Sequence, residues 1–134
     1  MIWRNKLFVL VTFIIIGCDI PGKIEISNNL NKVVVISYTY KNKIENHKSK
    51  VYQINPNEKK IIMLGFGTKW DESYIKYYPN EIIDTINLKV GNIEYLCFDK
   101  KCKSKIFNMT NRKSKTTMEI VIDSNLIRES FIKK

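Results

Sequence analysis

Apolar and polar residues alternate along most of the chain after residue 22, the period that sends successive side chains to opposite faces of a β-strand. Lys23-Ile24-Glu25-Ile26 alternates and stops at Asn28-Asn29. Between Lys32 and Tyr40, one face takes Val34, Ile36, Tyr38 and Tyr40 and the other takes Val33, Val35, Ser37 and Thr39, which predicts a central strand. Val51 to Ile54 predicts another, ended by Asn55-Pro56-Asn57 with proline at the second turn position. Lys60 to Phe66, Ile82 to Val90 and Ile93 to Phe98 follow, the last two joined by a tight reversal at Gly91-Asn92. Thr116 to Asp123 points Met118, Ile120 and Ile122 inward, and Ser124 is placed to cap a short helix through Ile132. About seven short strands spaced about ten residues apart predict a mainly β chain. The expected fold is a single antiparallel β-sandwich, immunoglobulin- or transthyretin-like, with one or two short helices.

The first residues follow a different pattern. Arg4 and Lys6 precede an apolar run from Leu7 to Ile16, and Gly17-Cys18 follows. A basic start, an apolar run too short to span a bilayer and a small residue at the break describe a secretory signal. No A-x-A-like cleavage site is present. Ile15-Ile16-Gly17-Cys18 instead resembles the lipobox of bacterial lipoproteins, with Ile15 standing where leucine is commonest. That resemblance implies cleavage before Cys18, acylation of its thiol and a stable membrane anchor, each buried CH₂ adding about 0.8 kcal/mol. The plainer alternative is a core cysteine at the end of a buried strand. The expected organisation is a signal peptide over 1–17, a lipidated Cys18 and short tether over 18–22, and a β-sandwich domain over 23–134.

Lipidation would also account for an odd thiol, since the chain has three cysteines. Cys97 and Cys102 flank Phe98-Asp99-Lys100-Lys101. With Asp99-Lys100 as a two-residue hairpin turn, the cysteines sit opposite one another within disulfide reach. Outside the cytoplasm the expected role is a structural staple. A redox role needs a C-x-x-C spacing, and a metal site needs more ligands than His47 supplies.

The stretch Thr68 to Pro79 sets Trp70, Tyr74, Tyr77 and Tyr78 at helical spacing, with Thr68 and Asp71 as a capping box and Pro79 as a stop. These aromatics are a candidate platform for sugar rings or a protein partner. The plainer reading makes the helix a lid with its aromatics in the core. Lys100, Lys101, Lys103 and Lys105 crowd the expected hairpin, and Arg112, Lys113 and Lys115 fill the next loop. They read either as a solvated face or as a basic patch for anionic headgroups or an acidic protein. Gly65-Phe66-Gly67-Thr68-Lys69 lacks phosphate-loop spacing. Scattered carboxylates and a single His47 point away from an enzyme and from any cofactor.

Composition adjusts this only slightly. The formal charge is +10, but 22 Ile, 20 Lys, 14 Asn and no Ala read as an AT-rich coding bias. The charge is therefore not taken as a sign of a nucleic-acid partner. Beyond the lipobox, the layout resembles small, functionally uncharacterised lipoproteins of AT-rich Gram-negative bacteria. The shared features are Ile24 to Asn29, Ile54-Asn55-Pro56, the central Trp70 segment and Asp84-Thr85-Ile86. The resemblance implies a sandwich fold and an envelope location, and lends no activity. The expected function is a membrane-anchored, non-catalytic binding or assembly module with a protein partner in the envelope. The alternatives are a periplasmic inhibitor or immunity lipoprotein that neutralises an acidic toxin or enzyme, and a small carbohydrate-binding protein.

Overall fold

The alternating segments pair as two sheets. A computed structural model describes residues 22–41, 49–65 and 70–134, with the side chains of 63–65, 73, 74, 76, 78 and 79 also outside the description. Among the described residues the strands are β1 (Gly22–Asn28), β2 (Val34–Tyr40), β3 (Lys50–Ile54), β4 (Lys59–Gly65), β5 (Ile83–Val90), β6 (Ile93–Cys97), β7 (Thr117–Ile122) and β8 (Ile132–Lys133). The helices are α1 (Glu72–Tyr77), α2 (Lys100–Ile106) and α3 (Ser124–Ser130). One sheet has the order β4-β1-β7 and the other β3-β2-β5-β6-β8. The chain is a mainly β, two-sheet sandwich with short helices, as its periodicity predicts.

The core lies between the sheets and includes Met118, Ile120 and Ile122, the face of β7 expected inward. Ile24, Ile26, Val34, Ile36, Tyr38, Ile86, Leu88, Met118, Ile120 and Ile122 are all buried. Each apolar side chain fully withdrawn from water contributes about 1.5–3 kcal/mol relative to exposure. Phe107 and Phe131, at the ends of α2 and α3, close the remaining gap. They line an apolar cavity of only about 20 Å³, room for a single water at most.

Two turns depend on left-handed backbone. Asn57 has φ 61° at the third position of the Asn55–Glu58 turn, closed by Glu58 N–H donating to Asn55 O at 3.0 Å. Proline before it fixes the second position of a type II turn. Gly91 has φ 60° and joins the Val90–Ile93 pair, where a II′ turn wants glycine first.

Three expectations need correction. The sheets are not wholly antiparallel, because β1 and β7 run parallel, with Ile24 opposite Met118 and Ile26 opposite Ile120. This register stacks inward apolar rows side by side, and β7 is reached only after four of the second sheet's five strands. The residues after Cys97 do not form a hairpin. Asp99 turns the chain into α2 by accepting the Cys102 N–H at 2.7 Å, an N-cap. Nor does the last helix run through Ile132. Its cap is Asp123, accepting Leu126 N–H at 2.7 Å, and Phe131 returns the chain to extended backbone for β8.

Candidate functional site

Trp70 lies just before α1, not on it, and is 2% exposed. Its indole N–H points at the carbonyls of Lys23 and Thr116, each at 3.1 Å, where β1 and β7 begin. Its backbone N–H donates to Lys115 O at 2.8 Å, and Arg112 Nη1 donates to Trp70 O at 3.2 Å. The aromatic platform is thereby split, because Trp70 is a buried wedge while Tyr77 is 56% exposed. α1 turns Ile75 into the core. The side chains of Tyr74 and Tyr78 lie outside the described residues, as do Thr68, the Gly65-to-Lys69 loop beyond Gly65, and His47. Pro79 does not end the helical backbone either. It sits in the first turn of a π-helical segment, Tyr78–Ile82, where its missing N–H has no intrahelical duty.

The four lysines of the expected basic tip also separate. Lys100, Lys101 and Lys105 are exposed on α2, but Lys103 is buried. Lys103 Nζ donates to Ile83 O at 3.0 Å and Asp84 O at 3.2 Å, tying α2 to the start of β5. Burial pushes its amine below the ordinary lysine range, with Lys41 adding to the effect. Lys105 Nζ donates to Glu129 O at 2.7 Å, holding α2 against α3. The next basic loop is engaged elsewhere, since Lys113 pairs with Glu119 at 3.1 Å and Arg112 serves Trp70. Cys97 and Cys102 do form a disulfide, with Cα atoms 5.7 Å apart, and it joins the end of β6 to the first turn of α2. Cys18 and the whole of residues 1–17 lie outside the described residues.

One concavity involves residues that the sequence did not single out. It is an open groove of about 480 Å³ between the Leu30–Lys32 turn, the β5–β6 hairpin and the α3–β8 segment. That volume falls in the range of ligand pockets. Leu30, Val90, Tyr95, Ile127 and Phe131 make its apolar floor. Val90 and Tyr95 belong to the inward-facing rows of β5 and β6, where both are partly buried against the core. Ile93 is 39% exposed at the mouth. Lys32, Arg128 and Lys133 bring three cations to the lining, which contains no carboxylate.

Strand direction locates this groove in the molecule. Leu30 and Lys32 follow the far end of β1, Ser124 follows the parallel β7, and Val90 and Ile93 meet at the β5–β6 turn. All belong to the end opposite Gly22, with the length of β1 between, about 20 Å. Trp70, the start of β5 and the N-terminus of α2 belong to the Gly22 end. Helix α3 was visible in the sequence, but the two-residue β8 carries no periodicity, and the groove exists only once both are in place. The lining offers recognition chemistry, apolar contact with a cationic rim. Among the described residues no cluster of His, Cys, Asp or Glu is arranged to hold a metal ion. No protein-family model matches the chain, and no curated protein or solved structure is significantly similar to it.

Proposed function

We propose that the chain is a cell-envelope lipoprotein, held in the membrane through an acylated Cys18, that works as a non-catalytic binding or assembly module. The observation that carries this reading is the run Ile15-Ile16-Gly17-Cys18 behind a basic start and an apolar segment. It stands four residues ahead of Gly22, where β1 begins. Four residues reach at most about 14 Å, so the Gly22 end of the sandwich would face the bilayer and the groove would face away from it. The Cys97–Cys102 bridge fits an oxidising compartment and leaves Cys18 as the thiol available for another use. Exposed Phe98, Lys100 and Lys101 follow the membrane-proximal end of β6, a composition suited to anionic headgroups.

The cationic groove favours a second reading, an inhibitor or immunity lipoprotein whose target is acidic. The carbohydrate-binding reading loses its main support with Trp70 inside the core. Fractionation of a bacterial host tests the anchor. The parent protein is expected in the membrane fraction and Cys18→Ala in the soluble fraction. Undiminished membrane retention of Cys18→Ala overturns the proposal.

A further inference from the structure

We infer that the groove between the Leu30–Lys32 turn, the β5–β6 hairpin and α3–β8 docks an acidic protein segment that inserts an apolar side chain between Lys32, Arg128 and Lys133. The inference deepens the binding-module reading and rests on it. The floor is preformed, with Phe131 8% exposed and Tyr95 and Ile127 packed against the core. An aliphatic or aromatic side chain entering there gains burial without displacing a bound internal group.

The rim then decides which segment fits. Several other lysines of the sandwich have a carboxylate partner of their own. Lys23 pairs with Glu25 at 2.7 Å, Lys59 with Glu119 at 2.6 Å, Lys60 with Glu58 at 3.5 Å and Lys134 with Glu94 at 3.4 Å. Lys32, Arg128 and Lys133 form no ion pair with any described residue. Arg128 Nη2 donates to the side-chain oxygen Oδ1 of Asn125, and the acid on β6, Glu94, alternates to the opposite face of the sheet, where it pairs with Lys134. Three cations around an apolar floor with no counter-charge of their own complement carboxylates on a partner. Lys133 is fixed at the rim by the Tyr95–Lys133 register, and Arg128 by the helix that Asp123 caps.

Full-length protein purified in detergent is titrated with a short synthetic peptide in which Phe and Leu are set among Glu residues. The comparison peptide carries Gln for each Glu. The acidic peptide should bind about tenfold tighter at low salt, and the difference should collapse as salt rises. Arg128→Glu combined with Lys133→Glu, both exposed positions, should weaken the acidic peptide about tenfold. Lys100→Glu combined with Lys101→Glu, at the other end, should leave it unchanged. Hydrogen exchange should show peptide-dependent protection at β6, α3 and β8. Equal binding of the two peptides, equal loss in both charge-reversal pairs, protection confined to other elements, or tighter binding of dodecanoate than of the peptide each overturns the inference. None of these readouts depends on acylation, so a failed anchor and a failed groove give different results.

Discussion

The backbone carbonyl of Ile62 is a direct polar tie between the two sheets. β4 slips register against β1 there, Ile24 facing Met63 and Glu25 facing Ile61, so Ile62 is the extra residue of a bulge. Its carbonyl instead accepts the hydroxyls of Tyr38 at 3.0 Å and Tyr52 at 2.7 Å, from the opposite sheet. Burial raises the Tyr38 phenol far above its ordinary range, which keeps it a neutral donor. Tyr38→Phe and Tyr52→Phe should each cost about 1 kcal/mol in denaturant unfolding, because the other hydroxyl still serves the carbonyl. The double variant should cost more than the sum, since only then is Ile62 O left without either hydroxyl. Strict additivity in that cycle contradicts the shared-acceptor account.

Glu119 gives the same scale a pH signature. Hydrogen bonds from Lys59 and Lys113 hold its carboxyl below the ordinary glutamate range, and Glu25 lies beside it in the β1–β7 register. A carboxyl with a lowered folded-state pKa adds stability that is complete above the unfolded value and fades as pH falls through the folded value. Glu119→Gln should therefore lose about 0.5–1 kcal/mol at neutral pH and show a shallower acid-side decline in urea melts. A parent and variant with parallel acid profiles would contradict this assignment.

At the scale of elements, the fold was legible wherever one strand face meets the core. β2 and β7 show it best, because Val34-Ile36-Tyr38 and Met118-Ile120-Ile122 alternate with side chains that stay at least partly outside. The turns were legible too, since Asn57 and Gly91 have the backbone their residue types favour. α2 escaped notice for a physical reason. Its inward face is Cys102, Lys103 and Ile106, so an amine occupies a position where a pattern search looks for an aliphatic residue. The burial of Trp70 matches the plainer of the two sequence readings, but its place outside the helix does not, because an amphipathic period cannot tell a helix residue from one that only precedes the helix. The parallel pairing of β1 with β7 is a tertiary choice that no local pattern records.

The disulfide is the device that fixes α2. Cys97 is fully buried at the end of β6 and Cys102 lies in the first turn of α2, so the bridge and the Asp99 cap act on the same corner. Cys97→Ser with Cys102→Ser should cost about 2 kcal/mol, the value for so short a loop. Amide exchange should rise first in α2 and at the Lys103 contacts with Ile83 and Asp84. Uniform acceleration across both sheets would contradict a local role.

Across the whole molecule, the two ends differ in chemistry. The Gly22 end carries the buried Trp70 wedge, the exposed Phe98 and the free lysines of α2, while the far end carries the groove with its cationic rim. A short tether to Cys18 would turn that asymmetry into an orientation, one end on the membrane and the other presented to a partner. Of the aromatic and basic residues named from sequence, Trp70 and Lys103 were recruited to hold elements together, while Tyr77, Lys100, Lys101 and Lys105 stay exposed. The groove is assembled separately, from a turn, a hairpin and a helix–strand segment distant in sequence.

The tether is the claim on which this orientation depends. Metabolic labelling with an alkyne analogue of palmitate in a bacterial host, followed by immunoprecipitation, tests it directly for the parent and Cys18→Ala. The account predicts label in the parent and none in Cys18→Ala. An unlabelled parent, or label undiminished by the substitution, would contradict it.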